Sequence, residues 1–193
     1  MTKTVIVLTG QAGSGKDTVS KYLVEEYGAT KVMYSSPFRE MLRALAVPET
    51  RENLSLISVK VREAFGQDAL SKAIVYRVHN AADDLVIVDG ARRMEDIQRI
   101  AQEAKFTLVA VDASIETRYN RIVKRGQNAD DAGKTMAVFE KEAKLETEAS
   151  IIGVMDQATV RINNDGGLEE LKAQCDAFMA SLGKSRVEHV LVA

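Results

Sequence analysis

The sequence has little of what marks a secreted, membrane-spanning or disulfide-bonded protein. Cys175 is the one cysteine in 193 residues, so no disulfide can form within the chain and a reducing compartment is expected. No apolar run approaches the ~20 residues that a helix needs to cross a bilayer. No basic and apolar leader is recognisable at the start of the chain. We therefore expect a cytoplasmic protein with no membrane partner.

The chain also has no excess of charge and no metal-binding pattern around its histidines. It carries 26 Lys and Arg against 28 Asp and Glu, a formal net charge of −2, so a broad basic surface for nucleic acid is not expected. His79 and His189 have no Cys, His or carboxylate at the spacing of a metal site. Any recognition of anions must be local.

Segment 10–18, Gly-Gln-Ala-Gly-Ser-Gly-Lys-Asp-Thr, lies between an apolar run and a helical pattern. A strand, a glycine-rich turn and a helix N-terminus form a phosphate cradle, because backbone N–H groups and the helix dipole face the anion. Lys16 adds a full positive charge. This context predicts a P-loop rather than a plain turn. The predicted phosphate contacts are Gly10, Ala12, Gly13, Ser14, Gly15, Lys16, Asp17 and Thr18.

Five short β-rich runs alternate with longer helical patterns, which predicts an α/β fold with a parallel sheet. The runs are Thr4–Leu8, Lys31–Tyr34, Leu85–Asp89, Phe106–Asp112 and Ala158–Asn163. Three of them are continuously apolar, as in strands buried on both faces. A helix is predicted from Leu168 to Leu182.

Two intervals, 35–84 and 114–157, are too long for one crossover helix. Both begin after the C-terminal end of a strand, the edge at which parallel sheets bind ligands. We expect a single domain over residues 1–183, with an acceptor-binding insertion at about 35–84 and a lid at about 114–150. Residues 184–193 form either a C-terminal tail or an edge strand.

Two aspartates are candidates for holding a metal beside the phosphates. Asp89 ends the third apolar run, where an acid either holds Mg²⁺ or only caps the strand. Asp17 stands where the common P-loop pattern has Ser or Thr. It either approaches Mg²⁺ through water, orients the acceptor group or stabilises the helix N-terminus by its charge.

Arginines dominate the candidates in the second half. Arg118, Arg121 and Arg125 are spaced i, i+3 and i+7, which places them on one helix face. They either contact the transferring phosphates or form a solvated basic face. The polar stretch 126–133 predicts the tip of the lid. Arg92 and Arg93 follow the Asp89-Gly90 turn, which aims one of the two into the cleft.

Further residues are candidates for contacts with the acceptor or with the nucleotide base. The predicted acceptor contacts are Ser35, Ser36, Arg39, Arg43, Arg62 and Arg93. Asn164 and Gly166 lie in a glycine-containing turn after the last strand. This turn either wraps a purine base or only begins the last helix.

Together these motifs resemble those of the P-loop nucleotide kinases of the adenylate-kinase and dephospho-CoA-kinase type. The Lys16-Asp17-Thr18 ending is most similar to that of phage-type deoxynucleoside monophosphate kinases. Asp89-Gly90-Ala91-Arg92 resembles the Asp-Gly-x-Arg turn of uncharacterised archaeal relatives, whereas the arginine of the adenylate-kinase Asp-Gly-Phe-Pro-Arg turn would fall on Arg93. Segment 118–131, with Arg118, Arg121, Arg125 and Asp130-Asp131, resembles the lid of those archaeal relatives.

The resemblance implies a three-layer α/β/α P-loop NTPase fold, in which a five-stranded parallel sheet has helices on both faces. It implies Mg²⁺ as the cofactor and ATP as the donor of a γ-phosphoryl group to a nucleotide-like acceptor. The implied catalytic residues are Lys16, Asp17, Arg92, Arg121 and Arg125, and the implied nucleotide contacts include Arg118, Asn164 and Gly166. A monomer or a homodimer is expected.

Three activities stay open at this point. The number of arginines favours a (deoxy)nucleoside monophosphate as the acceptor, although segment 36–41 lacks the Thr-Gly-Asp-x-x-Arg of adenylate kinases, which argues against AMP. Transfer to the ribose hydroxyl of dephospho-CoA would use Asp17 as a base. A third activity, that of an NTP-dependent regulatory switch, has the unusual segment 36–41 in its favour. It lacks support from a guanine-specificity motif or a further domain.

Overall fold

The computed structural model describes residues 3–103, 106–125, 133–144 and 146–188. In chain order, the described elements are β1 (Thr4–Thr9), α1 (Lys16–Tyr27), β2 (Thr30–Met33), α2 (Ser36–Ala44), α3 (Arg51–Phe65), α4 (Ala69–His79), β3 (Leu85–Asp89), α5 (Met94–Glu103), β4 (Phe106–Asp112), α6 (Ile115–Arg125), α7 (Met136–Glu142), α8 (Glu146–Asp156), β5 (Val160–Asn163) and α9 (Leu168–Ser181). Strands and helices alternate, with helical insertions after β2 and β4.

The five strands form one parallel sheet in the order β2-β3-β1-β4-β5. Val5 of β1 lies opposite Val86 of β3 on one side and Phe106 of β4 on the other. All five strands predicted from the sequence are confirmed, with ends that differ by at most two residues, as where β5 begins at Val160 rather than Ala158. The central position of β1 places the loop after it between the ends of β3 and β4.

The side chains of β1 alternate between two apolar cores, one on each face of the sheet. Ile6 and Leu8 pack with α1 and α9, and Val5 and Val7 pack against the side covered by α4, α5 and α8. All four side chains are 1% exposed or less, and complete burial of such side chains stabilises a fold by about 1.5–3 kcal/mol each. The predicted three-layer α/β/α architecture is confirmed.

The two long intervals fold as helical insertions at the C-terminal edge of the sheet. The first contains α2, α3 and α4, and the second contains α6, α7 and α8. The lid-tip residues 126–132, which include the Asp130-Asp131 pair, lie outside the described residues, as do His189 and the end of the tail at 189–193. Within the described ranges, none of the helices combines the length and apolarity that a membrane crossing requires.

The described part of the tail, residues 184–188, packs against α1 and α9 without forming a strand. The Val187 N–H donates to the carbonyl of Glu26 at 2.8 Å. Arg186 forms an ion pair with Asp176 at 2.6 Å, and its guanidinium also lies over the ring of Tyr22. The tail therefore joins the end of the helix that follows the glycine-rich loop to the last helix.

Candidate active site

The glycine-rich loop connects β1 to α1 and has a backbone that only glycine adopts without strain at two of its positions. Gly13 and Gly15 have φ angles of 80° and 95°, in the left-handed region. A Cβ atom on Gly13 would lie 2.7 Å from the carbonyl oxygen of Arg118, closer than side-chain atoms pack. Position 13 therefore requires glycine so that the loop can pass this close to the backbone of α6.

Lys16, the first residue of α1, folds back over this loop. Its ammonium donates hydrogen bonds to the carbonyl oxygens of Gly10 at 2.5 Å and Gln11 at 3.3 Å. Burial lowers the pKa of Lys16, Asp89 opposes this effect, and Arg92 adds to the lowering. The charge of Arg92 therefore reaches the lysine of the glycine-rich loop.

Two of the three α6 arginines lie beside the glycine-rich loop. The Arg118 guanidinium is buried and donates to the carbonyls of Ala113 at 3.2 Å and Ala12 at 3.5 Å. Arg121 donates to the carbonyl of Asn164 at 2.7 Å. Arg125 is exposed at the end of α6, one helical turn beyond Arg121.

Asn164, which follows β5, connects Arg121 to the glycine-rich loop. It is 5% exposed, and its side-chain amide donates to the carbonyl of Ser14 at 2.8 Å. A cavity of about 160 Å³ lies between the two loops. It is lined by Gly15, Thr18, Arg121, Asn164, Gly166, Leu168 and Leu171.

Two buried polar atoms beside the loop have no hydrogen-bond partner among the described residues. They are Arg121 Nη1 and Ser14 Oγ. A buried guanidinium N–H without a partner costs free energy, and a ligand oxygen that accepted from it would recover that cost. The unpaired Nη1 of Arg121 lies near Gly15. A phosphate oxygen there would accept from Nη1 and from the backbone N–H of the loop.

The two candidate metal residues lie on either side of a lysine that sequence reasoning missed. Lys31 of β2 contacts Asp89 at 2.7 Å and Asp17 at 3.5 Å. The carboxylate of Asp89 is 8% exposed, and that of Asp17 is 82% exposed. The contact exists because β2 lies beside β3 in the sheet, an order that strand–helix alternation does not reveal.

The donor set at these aspartates suits Mg²⁺ held together with a nucleotide. In the described part of the chain, no group of three or more His, Cys, Asp or Glu side chains is arranged so that it could hold a metal ion. Mg²⁺ is commonly held by one or two carboxylates, with phosphate oxygens and waters completing its octahedron. Asp89 and Asp17 beside a phosphate-binding loop fit that pattern.

Glu148 of α8 is a second residue at the site that the sequence did not single out. The Ala12 N–H of the glycine-rich loop donates to Glu148 Oε2 at 3.4 Å. Its charge opposes the lowering of the Lys16 and Arg118 pKa values that burial causes. A carboxylate therefore lies against a backbone N–H of the glycine-rich loop.

On the other side of the cleft, Arg62 of α3 and Arg93 lie close to each other. Burial, and then the charge of Arg93, lower the pKa of Arg62, and Asp96 and Glu95 oppose the lowering. Arg93 contacts Gln67 and Glu95, each at 3.3 Å. Arg62 donates to Ser58, while its Nε is buried without a partner among the described residues.

Asp96 at the start of α5 forms hydrogen bonds to three neighbouring segments on this side of the cleft. Its carboxylate accepts from Ser71 at 3.3 Å and from the Arg92 N–H at 3.5 Å. Its backbone carbonyl accepts from the hydroxyl of Tyr34 at 2.9 Å. Burial raises the pKa of Asp96. These contacts fix the turn that carries Arg92 and Arg93 relative to α4 and β2.

The remaining acceptor candidates lie on α2 or, for Ser35, directly before it, and they make local contacts. Arg39 and Arg43 both pair with Glu49, at 2.8 Å and 3.2 Å. The hydroxyl of Ser35 accepts from Arg39 at 3.3 Å, and Ser36 donates to the carbonyl of Met33 at 2.7 Å. The contacts therefore connect Ser35, Arg39 and Arg43 through Arg39 and Glu49, whereas Ser36 is bonded to the end of β2.

Comparison with known proteins assigns the chain to a family. The family model described as AAA domain matches residues 9–138, which include the glycine-rich loop, Asp89 and the α6 arginines. The chain belongs to the AAA domain family. This match extends over more than half of the chain and confirms the resemblance to P-loop kinases drawn from the motifs.

Curated relatives are similar over nearly the whole chain. A UPF0200 protein of Methanoculleus marisnigri is 29% identical over 182 residues, covering 93% of this chain and 97% of the relative. A UPF0200 protein of Pyrococcus furiosus is 29% identical over 188 residues, covering 95% of this chain and 100% of the relative. The similarity therefore includes both helical insertions as well as the glycine-rich loop.

Solved structures with the same fold include small-molecule kinases. A shikimate kinase from Bacteroides thetaiotaomicron matches with a TM-score of 0.60 at 13% identity, over 93% of this chain and 98% of that one. A gluconokinase from Sinorhizobium meliloti matches with a TM-score of 0.56 at 20% identity, over 92% of both chains. At these identities the likeness shows the P-loop kinase fold.

Proposed function

We propose that the protein is an ATP-dependent phosphotransferase that moves the γ-phosphoryl group of Mg·ATP to a small nucleotide-like acceptor, in the first instance a (deoxy)nucleoside monophosphate. The observation that carries this proposal is the convergence of Lys16, Arg118 and Arg121 on one glycine-rich loop, beside the strand-end carboxylate of Asp89. Such an arrangement positions a triphosphate and neutralises its charge, which is most of what phosphoryl transfer requires.

On the donor side, each charged group has a distinct task. Lys16 exchanges its loop carbonyls for β- and γ-phosphate oxygens, and the loop N–H groups bind the same oxygens. The unpaired Nη1 of Arg121 donates to the transferring group. Asn164 holds Arg121 in place, while the cavity beside it accepts the nucleoside portion.

Asp89 and Asp17 would hold Mg²⁺, which supplies charge neutralisation at the β- and γ-phosphates when bound. Arg92, whose charge reaches Lys16, stabilises the negative charge that accumulates between donor and acceptor. The α6 arginines and the second insertion shield the transferring group from water, which limits hydrolysis.

The acceptor side supports an anionic substrate. Arg62 and Arg93 are close enough to lower the pKa of Arg62, and an anion between them would relieve that repulsion. The buried, unpaired Nε of Arg62 offers a donor to the same anion. A monophosphate group is anionic, and its oxygens match the planar hydrogen-bond donors of two guanidiniums.

A second candidate, dephospho-CoA kinase, has one observation in its favour. The carboxylate of Asp17 is 82% exposed, and therefore open to accept a proton from a hydroxyl acceptor. A nucleoside monophosphate acceptor does not need such a base, because its phosphate oxygen is already ionised.

The test incubates the protein with Mg·ATP and, one at a time, each nucleoside monophosphate, each deoxynucleoside monophosphate and dephospho-CoA. The proposal predicts ADP formation above the background for at least one monophosphate, with the corresponding diphosphate as product. Turnover with dephospho-CoA alone supports the second candidate. ADP formation that no acceptor stimulates contradicts both and favours a regulatory NTPase.

A further inference from the structure

Among the residues that the structure describes, Lys31 makes ion pairs with both of the proposed metal-binding acids. Its Nζ lies 2.7 Å from Asp89 Oδ2 and 3.5 Å from Asp17 Oδ1. Lys16 also interacts electrostatically with Asp89, but its ammonium donates to the carbonyls of Gly10 and Gln11. The direct ion pair on Asp89 is therefore made by Lys31.

The position of Lys31 in the fold makes this contact hard to explain as a surface ion pair. Its side chain is 26% exposed, and the carboxylate that it contacts is 8% exposed. Lys31 is the second residue of β2 and lies in register with Ile87, two residues before Asp89 on β3, and the N–H of Tyr34, which follows β2, donates to the Asp89 carbonyl at 3.0 Å. An ammonium in such a place is desolvated, so it needs carboxylate partners.

We propose that Lys31 is the resident counter-cation of the metal-binding acids, which a divalent metal must displace from Asp89 and Asp17. With Lys31 in place, its ammonium offsets one of the two carboxylate charges that would attract a free metal ion. A nucleotide bound on Lys16 adds phosphate oxygens, which make the exchange of Lys31 for the metal favourable. Lys31 thereby couples metal entry to nucleotide entry.

This inference rests on the proposed function, since the acids are those of the transfer site. It adds a residue that acts through Asp89 and Asp17 rather than on the substrate, so Lys31 is a positioning residue. Its consequence is a specific one: removal of the Lys31 charge makes the nucleotide-free protein bind divalent metal more tightly.

The experiment measures Mn²⁺ binding to the nucleotide-free protein by electron paramagnetic resonance. Lys31→Met is expected to bind Mn²⁺ about tenfold more tightly than the wild type, because two carboxylates lose their nearest cation. Lys31→Arg, which keeps the charge, is expected to bind as weakly as the wild type. Addition of Asp89→Asn to Lys31→Met is expected to abolish the tighter binding.

Lys172→Met is the matched control, since Lys172 pairs with Glu169 at 2.8 Å and is 35% exposed, close to the 26% of Lys31. Lys172 lies on α9, and its replacement by Met removes the same charge as Lys31→Met does. An Mn²⁺ affinity of Lys31→Met equal to that of the wild type, or an equal rise in Lys172→Met, overturns the proposal.

A measurement on the wild type keeps the proposal testable if Lys31→Met does not fold. In protein with isotope-methylated lysine side chains, the Lys31 resonance is expected to shift when Mg²⁺ joins bound ADP. A resonance that Mg²⁺ leaves at its ADP-bound position overturns the role of Lys31.

The proposed function fails separately from this inference. Unchanged metal affinity in Lys31→Met, together with acceptor-dependent turnover in the wild type, removes only the role of Lys31. Failure of the wild type to bind Mn·ADP at all removes the transfer site itself.

Discussion

Arg121 of α6 donates to the carbonyl oxygen of Asn164 at 2.7 Å and to its side-chain oxygen at 3.3 Å. Asn164 in turn donates to the carbonyl of Ser14 in the glycine-rich loop. One guanidinium edge of Arg121 therefore fixes the loop after β5, while its buried Nη1 is left for a ligand. The α6 helix, the glycine-rich loop and the loop after β5 are joined through these two residues.

Replacement of Arg121 by Gln is expected to lower kcat by about 10²-fold, because a donor aimed at developing negative charge stabilises the transition state most. The affinity for ATP is expected to fall far less. Steady-state kinetics with calorimetric ATP binding separate the two effects.

Arg161→Gln is the control for this change, since Arg161 also donates to a backbone carbonyl, that of Met155 at 3.0 Å, but lies on β5 outside the site. Equal losses of kcat and ATP affinity in Arg121→Gln would mean that the arginine acts only in ground-state binding.

Replacement of Arg93 by Gln is expected to raise the KM for the acceptor about tenfold or more while the KM for ATP changes little, since a charge-assisted hydrogen bond to the acceptor is lost. The measurement is initial velocity over a grid of both substrates. Arg77→Gln serves as the control, because Arg77 makes an ion pair with Glu40, and both residues lie in the insertion between β2 and β3. A rise in the KM for ATP alone would place Arg93 on the donor side.

Replacement of Glu148 by Gln is expected to tighten the binding of inorganic tripolyphosphate severalfold. The carboxylate accepts from the Ala12 N–H, a group that a phosphate oxygen would use, and its charge repels the anion. Calorimetric titration measures the change. Asp156→Asn, at the other end of α8, removes an equal charge at a distance from the loop. Weaker binding in Glu148→Gln would show that Glu148 supports the anion rather than competing with it.

The strand pattern and the loop motif could be predicted from the sequence, because each depends on residues close together in the chain. The β-rich runs, three of them continuously apolar, predicted all five strands, and the glycine spacing predicted the loop conformation that Gly13 and Gly15 adopt. The helical spacing of Arg118 and Arg121 likewise predicted their shared face.

The charged partners of the site could not be predicted in the same way, because they arise from contacts between distant segments. Lys31 reaches Asp89 only because β2 pairs with β3. Glu148 reaches Ala12 across 136 positions, through the folding of the second insertion over the loop. The pairing of Arg39 and Arg43 with Glu49 depends on the path of the chain after α2.

The Asp176 cluster predicts a pH dependence of stability. Burial raises the pKa of Asp176, but hydrogen bonds from Arg186, Tyr27 and Tyr22 outweigh it and hold the pKa below its usual 3.8. A carboxyl group with a lowered pKa in the folded state contributes stability above the unfolded pKa, and the contribution disappears as pH falls through the folded pKa.

Asp176→Asn is therefore expected to lower the free energy of unfolding by about 1–2 kcal/mol at pH near 7, with a smaller difference from the wild type below a pH of about 4. Urea unfolding at both pH values measures this. Asp156→Asn, which breaks an exposed ion pair with Arg161, is the control. A difference that stays constant with pH would show that the Asp176 charge does not hold the tail.

The most direct test of the central claim follows the γ-phosphorus of labelled Mg·ATP in the presence of the acceptor mixture. In the wild type, the label is expected to appear in an organic product. In Lys16→Met, which keeps the side-chain length but removes the charge at the loop, transfer is expected to disappear while the unfolding midpoint remains close to that of the wild type. Label that enters no organic product in the wild type, or transfer that survives in Lys16→Met, would contradict the account.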